Sequence, residues 1–273
     1  NLLTLQNGKP PKYNSKFVKN AFALFLCLCI GAATGVHAQE RITFFNSVIE
    51  VDTSGQLVVT ETIVIYAEGY QFKRGIFRQL PRYRKDVENN SIQNDISVIS
   101  VMQDGMPARY KESNKQSLLE IRIGSADELL SQGLHSYIIK YSIENQVGFF
   151  EQYDELYWNV TGNGWDFNID SVSCTVMLPA TAKVLQQQCY TGMRGSTARN
   201  CSYIEISGGM QFTAQNLLPA QGLTIAIGFT KGIVMPPPPP GFLERFGLLI
   251  LAVIILLSVF FYMLYSWVKF GKD

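Results

Sequence analysis

Apolar and polar residues alternate with a period of two through most of the stretch 42–229. Leu223, Ile225, Ile227 and Phe229 fall on one side, and Thr224, Ala226, Gly228 and Thr230 on the other. His135, Tyr137, Ile139, Tyr141 and Ile143 alternate in the same way with Ser136, Ile138, Lys140 and Ser142. Successive strand residues point to opposite faces, so this period predicts half-buried strands here and over 56–66, 96–102, 117–123, 156–160 and 203–206. Asp104 and Gly105, between two such runs, predict a hairpin turn. The only helix expected before residue 240 is short, over 125–131. Many short strands with Gly, Asp and Asn turns predict a mostly β fold, an antiparallel β-sandwich, with a division into two smaller β units near residue 150 left open.

The alternation stops at the C-terminal end. Between Arg245 and Lys269 there is no charged residue, and 246–267 is nearly all Leu, Ile, Val, Phe and Tyr. At about 1.5 Å per residue such a helix crosses the roughly 30 Å apolar core of a bilayer. A second apolar run, 21–30, follows Lys16 and Lys19 and precedes Val36-His37-Ala38. This order of basic, apolar and small residues predicts a signal peptide cleaved after Ala38. An uncleaved anchor is the alternative.

The domain plan is therefore a polar tail and signal peptide over 1–38, an extracytoplasmic β-sandwich over 39–233 and a proline linker over 234–241. A transmembrane helix over 242–268 and the start of a cytoplasmic segment over 269–273 complete it. Lys269 and Lys272 place the C-terminal side in the cytoplasm. Pro236 to Pro240 favour a polyproline rod of about 15 Å, which would hold the domain off the bilayer. Residues 1–15 are polar and begin without Met, so they read as a mis-assigned start. The expected location is the bacterial cytoplasmic membrane, with the lipid bilayer as one partner.

Charge narrows the function. The whole chain carries a formal +1, but 39–240 holds 16 Lys and Arg against 20 Asp and Glu, a formal −4. No global basic field points to nucleic acid. One histidine, His135, remains beyond the signal peptide, in mid-strand, and no nucleophile motif accompanies it. Metal ligands in number and nucleotide fingerprints are lacking, so no cofactor or metal is expected. Cys189 and Cys201 flank a turn-rich loop and are disulfide candidates in an oxidising compartment. Cys174, on an apolar strand face, reads as a buried, inert thiol.

Two clusters can carry binding. Residues 73–85 hold six cations, Lys73, Arg74, Arg78, Arg82, Arg84 and Lys85, interleaved with Phe77 and Tyr83. Such a patch suits an anionic envelope polymer, lipid headgroups or an acidic protein partner, or else is a solvated loop. Residues 154–166 combine Asp154, Glu155 and Asp166 with Tyr157, Trp158 and Trp165. They suit a sugar platform or, with two carboxylates about 5 to 9 Å apart, glycoside hydrolysis. The oxygen-rich run also raises Ca²⁺, and the plain alternative is a core strand and turn. One position stands out within the alternation. Glu61 shares a face with Leu57, Val59, Ile63 and Ile65, where a carboxylate needs a partner, and Arg78 is the candidate.

Several of these segments resemble a known group. Gly55-Gln-Leu-Val-Val-Thr-Glu61, Gly75-Ile-Phe-Arg78 with Pro81, Ile121-Arg-Ile-Gly124, Tyr137-Ile-Ile-Lys-Tyr141 and Leu156-Tyr-Trp-Asn-Val-Thr-Gly162 with Trp165 carry the likeness. Cys189-Tyr-Thr-Gly192 with Gly195 and Trp267-Val-Lys-Phe-Gly-Lys-Asp273 extend it. The chain resembles the YciQ-like predicted bacterial membrane proteins, the family of domain of unknown function 2207. Ser54 and Lys272 are mild departures. The resemblance implies a signal peptide, a large extracytoplasmic β domain, a span and further cytoplasmic sequence, so the chain reads as a fragment. It implies no catalytic residue. The expectation is a membrane-anchored envelope protein whose β domain binds a partner protein or envelope polymer. A glycan-acting hydrolase and a passive part of a membrane assembly are the alternatives.

Overall fold

Strand follows strand from Arg41 to Thr230, and one long helix ends the chain. The computed structural model describes residues 39–85, 89–237 and 241–271. The expected signal peptide, residues 238–240 of the proline run and residues 272–273 lie outside the described residues.

The largest sheet has eight strands. Its centre is β1 (Arg41–Val51), β2 (Leu57–Ala67) and β10 (Gly133–Ile143), with β6 (Ile96–Gln103) and β7 (Met106–Pro107) beyond β10. On the other side of β1 lie β13 (Ile169–Met177), β16 (Gly209–Leu217) and β15 (Cys201–Ile206). A four-stranded sheet has the order β11 (Val147–Phe149), β12 (Tyr153–Asn159), β17 (Gly222–Thr230) and β14 (Val184–Gly192). A three-stranded sheet is β3 (Ile76–Pro81), β9 (Leu118–Ile123) and β8 (Tyr110–Lys115). The ribbon β4 (Tyr83–Lys85) with β5 (Ser91–Gln93) completes the set.

Among the described residues all strand pairings are antiparallel except one: β1 and β13 run parallel, from Ile42 against Ile169 to Glu50 against Met177. A parallel pair needs a long crossover, and here residues 52–168 supply it, carrying other strands on the way. Asp104 and Gly105 both have positive φ, the requirement of the tight turn that joins β6 to β7. Residues 125–131 are an irregular loop rather than the expected helix. Seven residues barely exceed one costly nucleus, and Leu130 N–H is taken by Lys73 O at 2.8 Å.

Alternation decides what is buried. In β2 every second residue, Leu57, Val59, Glu61, Ile63, Ile65 and Ala67, is sealed from solvent. Apolar side chains from Ile42 to Val234 form one continuous cluster that runs across residue 150 and draws on the three larger sheets. Each fully buried Ile, Leu or Phe in it contributes about 1.5–3 kcal/mol. Helix α1 (Phe242–Phe270) contains the segment Arg245–Phe270, long and apolar enough to cross a membrane.

Candidate functional site

Residues 73–85 enter the three-stranded sheet, and strand parity sorts their cations. Ile76, Arg78 and Leu80 face inward; Phe77, Gln79 and Pro81 face outward. Arg78 is 2% exposed and Glu61 is 0%. Arg78 Nε donates to Glu61 Oε2 at 2.7 Å and Nη2 to Glu61 Oε1 at 2.6 Å. Its Nη1 donates to the carbonyls of Thr161 at 2.9 Å and Gln79 at 3.1 Å, and Nη2 also to Val160 O at 2.9 Å. All five guanidinium N–H groups thus have acceptors. The Tyr141 hydroxyl donates to Glu61 Oε1 at 2.6 Å, and Trp165 Nε1 donates to Thr161 O at 2.8 Å. Burial works against the charge on Arg78, but the adjacent Glu61 carboxylate outweighs it and raises the guanidinium pKa. Burial, with the Glu61 charge, raises that of Tyr141.

The outward side of the same sheet is different. Phe77, Arg122 and Lys111 lie in one cross-strand row. Directly opposed side chains have Cβ atoms about 4.5–5.5 Å apart. Phe77 is 55% exposed, Lys111 is exposed and Arg122 half-buried. At the near end, the backbones at Gly75 (φ +117) and Gly124 (φ +114) touch, leaving no room for a Cβ. Exposed Lys73, Arg74 and Arg109 therefore gather beside the row. Lys73, Arg74, Arg109, Lys111 and Arg122 make no side-chain hydrogen bond or ion pair among the described residues. Asp127 and Glu128 lie on the adjoining loop, outside the row. The next row does carry a carboxylate, Glu120, paired with Lys115 Nζ at 2.6 Å and Gln79 Nε2 at 3.2 Å.

The rest of the basic segment divides. Arg84 donates to the carbonyls of Asn145 and Val147 and so fastens a loop. Lys85 Nζ donates to Asn89 O at 2.9 Å. Tyr83 is exposed and Arg82 half-buried. Sequence distance concealed Arg109, Lys111 and Arg122. The available signal was Arg122 alternating with the apolar Ile121 and Ile123.

In the second cluster, Trp158 and Trp165 are buried and only Tyr157 is open, at 55%. The tryptophans are thus core residues and cannot meet a ligand at the surface. Asp154 and Glu155 are consecutive on β12 and point to opposite sides of the sheet. Asp154 is buried and accepts from Gly232 N–H at 3.1 Å; Glu155 is half-buried, its pKa raised by burial; Asp166 is exposed. Adjacent parity gives Asp154 and Glu155 no shared site for acid–base hydrolysis. His135 Nδ1 pairs with Asp104 Oδ2 at 2.8 Å and Nε2 with Ser131 O at 2.9 Å, a loop tie. Cys189 and Cys201 are joined by a disulfide with Cα atoms 6.3 Å apart. Cys174 is buried and free, and burial raises its pKa. Among the described residues no three His, Cys, Asp or Glu side chains gather as a metal site.

Residues 41–229 match the family described as predicted membrane protein (DUF2207) N-terminal domain. The chain belongs to this family. The uncharacterized protein YciQ of Escherichia coli (strain K12) is 28% identical to it over 169 residues, 61% of the chain and 27% of that protein. The chain therefore spans little more than a quarter of the length of this curated relative. Among solved structures, yeast LTA4 hydrolase in complex with bestatin is 11% identical over 72% of the chain and 31% of its own, at a TM-score of 0.45. The M1 zinc metallopeptidase of Deinococcus radiodurans is 12% identical over 68% and 42%, at 0.38. Similarity at that level says nothing about activity.

Segments far apart in the sequence meet at Arg78. Glu61, Arg78 itself, Tyr141 and Thr161 to Trp165 are its immediate surroundings. Gly162 has φ +74, and a Cβ there would lie 2.9 Å from Arg78 Nη1. The run from Val160 to Trp165 thus wraps a buried cation.

Proposed function

We propose that this protein is a membrane-anchored envelope component whose exported β domain holds an anionic envelope polymer. The observation that carries the reading is the row Phe77–Arg122–Lys111, with Lys73, Arg74 and Arg109 at its end. Unpaired cations gathered beside an exposed aromatic ring attract phosphate or carboxylate groups and leave the ring to meet the polymer's apolar parts. The overall negative charge of the domain makes this local positive face selective rather than generally adhesive. Helix α1 anchors the chain, and Lys269 in its last turn supports a cytoplasmic C-terminal side.

The test is titration of the full chain in detergent with polyphosphate at low and physiological ionic strength. Binding should weaken with salt and be lost when Arg122 and Lys111 are both replaced by Gln, because exposed charges are screened over about 8–10 Å. Binding indifferent to salt and to both substitutions would sink the proposal. In cells, a crosslinking residue replacing Phe77 should give a disperse polymer adduct; a single discrete protein adduct would replace the polymer with a protein partner.

A further inference from the structure

The outward face of the four-stranded sheet has a different chemistry from the basic face. Its central strand, β17, presents Thr224, Ala226 and Gly228, all small. On one side β12 raises Asn159, Tyr157 and Glu155; on the other β14 raises Tyr190, Gln188 and Gln186. Strands about 4.8 Å apart and rising about 3.4 Å per residue make this a trough roughly 10 Å wide and 14 Å long. The three rows contain no Lys, Leu, Ile, Val or Met.

Both ends of the trough are defined. A Cβ at Gly228 would fall 2.6 Å from Gln186 Cγ and 3.1 Å from Tyr153 Cδ2, so these two side chains close over the glycine. Phe150 stacks on Tyr153 at 4.9 Å and holds it there. At the far end Arg199 lies 5.8 Å over the Tyr190 ring, and Asn159 is fixed by Gly162 N–H at 3.0 Å and Asn163 Oδ1 at 2.7 Å. Along the trough, the carboxamides of Gln186 and Gln188 and the hydroxyls of Tyr157 and Tyr190 have no hydrogen-bond partner among the described residues.

We propose that this trough binds a neutral polysaccharide chain. The exposed Tyr157 ring, with half-buried Tyr190 across the trough, offers flat apolar surface to the C–H face of a pyranose unit. Carboxamides and phenols donate and accept at once, as hydroxyl groups require. The one carboxylate in the rows, Glu155, is a further acceptor and opposes an anionic chain. Without aliphatic anchors, the rows lack the buried core that a protein partner would need. The inference shares with the proposed function only the exported position of the domain; it does not use the basic face.

The test uses the full chain in detergent, titrated calorimetrically with chitohexaose, cellohexaose and maltohexaose, and separately with polyphosphate. At least one hexasaccharide should bind. Tyr157→Ala and Gln188→Ala should each weaken it about tenfold, the loss of a central contact at a binding surface. Arg122→Gln should leave saccharide binding unchanged. No saccharide binding by the wild-type chain, or binding indifferent to both trough substitutions, would overturn the proposal. Melting temperatures equal to wild type exclude misfolding as the cause of a loss. Polyphosphate binding without saccharide binding would sink the trough and keep the basic face. The converse would sink the basic face alone, and no binding of either kind would sink both.

Discussion

Arg78 and Arg122 sit on neighbouring strands of one small sheet, one residue out of step, and have opposite fates. Arg78 is opposite Ile121 and points inward; Arg122 is opposite Phe77 and points outward. The first has every N–H occupied, two by the Glu61 carboxylate and three by the backbone carbonyls of Gln79, Val160 and Thr161. The second is bordered by an aromatic ring and another cation. Parity along a strand thus decides whether a cation becomes an internal fastening or a group free to meet a ligand. A run of basic residues cannot be treated as one patch until each position has been assigned a face.

The strongest way to break this comparison is to remove the inner cation. Arg78→Gln leaves a buried carboxylate with the Tyr141 hydroxyl as its remaining partner, and uncovers the carbonyls of Val160 and Thr161. The expected loss is about 3–5 kcal/mol in chemical denaturation. Glu61→Gln should cost a similar amount. The double variant should fall well short of the sum, because each single change leaves a charge unpaired and the double change leaves none. Additive losses, or a loss for Arg122→Gln as large as that for Arg78→Gln, would end the distinction between the two sides.

A smaller effect sharpens the same point from the far side of the guanidinium. Gly162→Ala places a Cβ 2.9 Å from Arg78 Nη1 at a position with φ +74. Strain of this kind costs about 1–3 kcal/mol. Part of it comes from the contact with Arg78 and part from the backbone. In an Arg78→Gln background the contact part should disappear, so the measured cost of Gly162→Ala should drop. An unchanged cost would mean that the arginine does not determine the glycine.

Much of this arrangement is readable in the chain, and the unreadable part has a physical reason. A carboxylate at Glu61 among Leu57, Val59, Ile63 and Ile65 is visible because strand period and burial coincide in β2. The mostly β architecture and the long apolar helix are readable for the same reason: both have periods or lengths that local sequence expresses. The parallel pairing of β1 with β13 is not, because it depends on where 117 intervening residues, 52–168, lead the chain. The carbonyls of Val160 and Thr161 are equally hidden, since every residue has a carbonyl and only the fold selects which ones meet Arg78. Glu40 shows the same limit: five backbone N–H groups of Glu68, Gly69, Tyr70, Gln71 and Phe72 converge on its carboxylate. Nothing in the order of those residues announces it. The outer cations are split among β8, β9 and the loops before β3 and β8, so no short window of sequence contains the face.

The smallest expected effect concerns the outer side alone and is read through pH. Glu120 is nearly buried, and its pKa is lowered first by the bond from Lys115, against an opposing effect of burial, with Gln79 adding to the lowering. A depressed carboxylate pKa means that the unfolded chain binds the proton more readily than the folded one. Its contribution is therefore complete above the unfolded glutamate pKa of about 4.3 and is lost as pH falls through the folded value. Lys115 is 60% exposed, so solvent screens the pair and its worth is about 0.2–1 kcal/mol. Glu120→Gln should lower stability by that amount at pH 7 and by progressively less as pH falls below about 4, measured by urea denaturation at each pH. Lys115→Gln should reproduce the profile in part, and salt should flatten it. A pH-independent loss would mean that Glu120 acts through packing rather than charge, and that the outer side of the sheet is not the electrostatically responsive side.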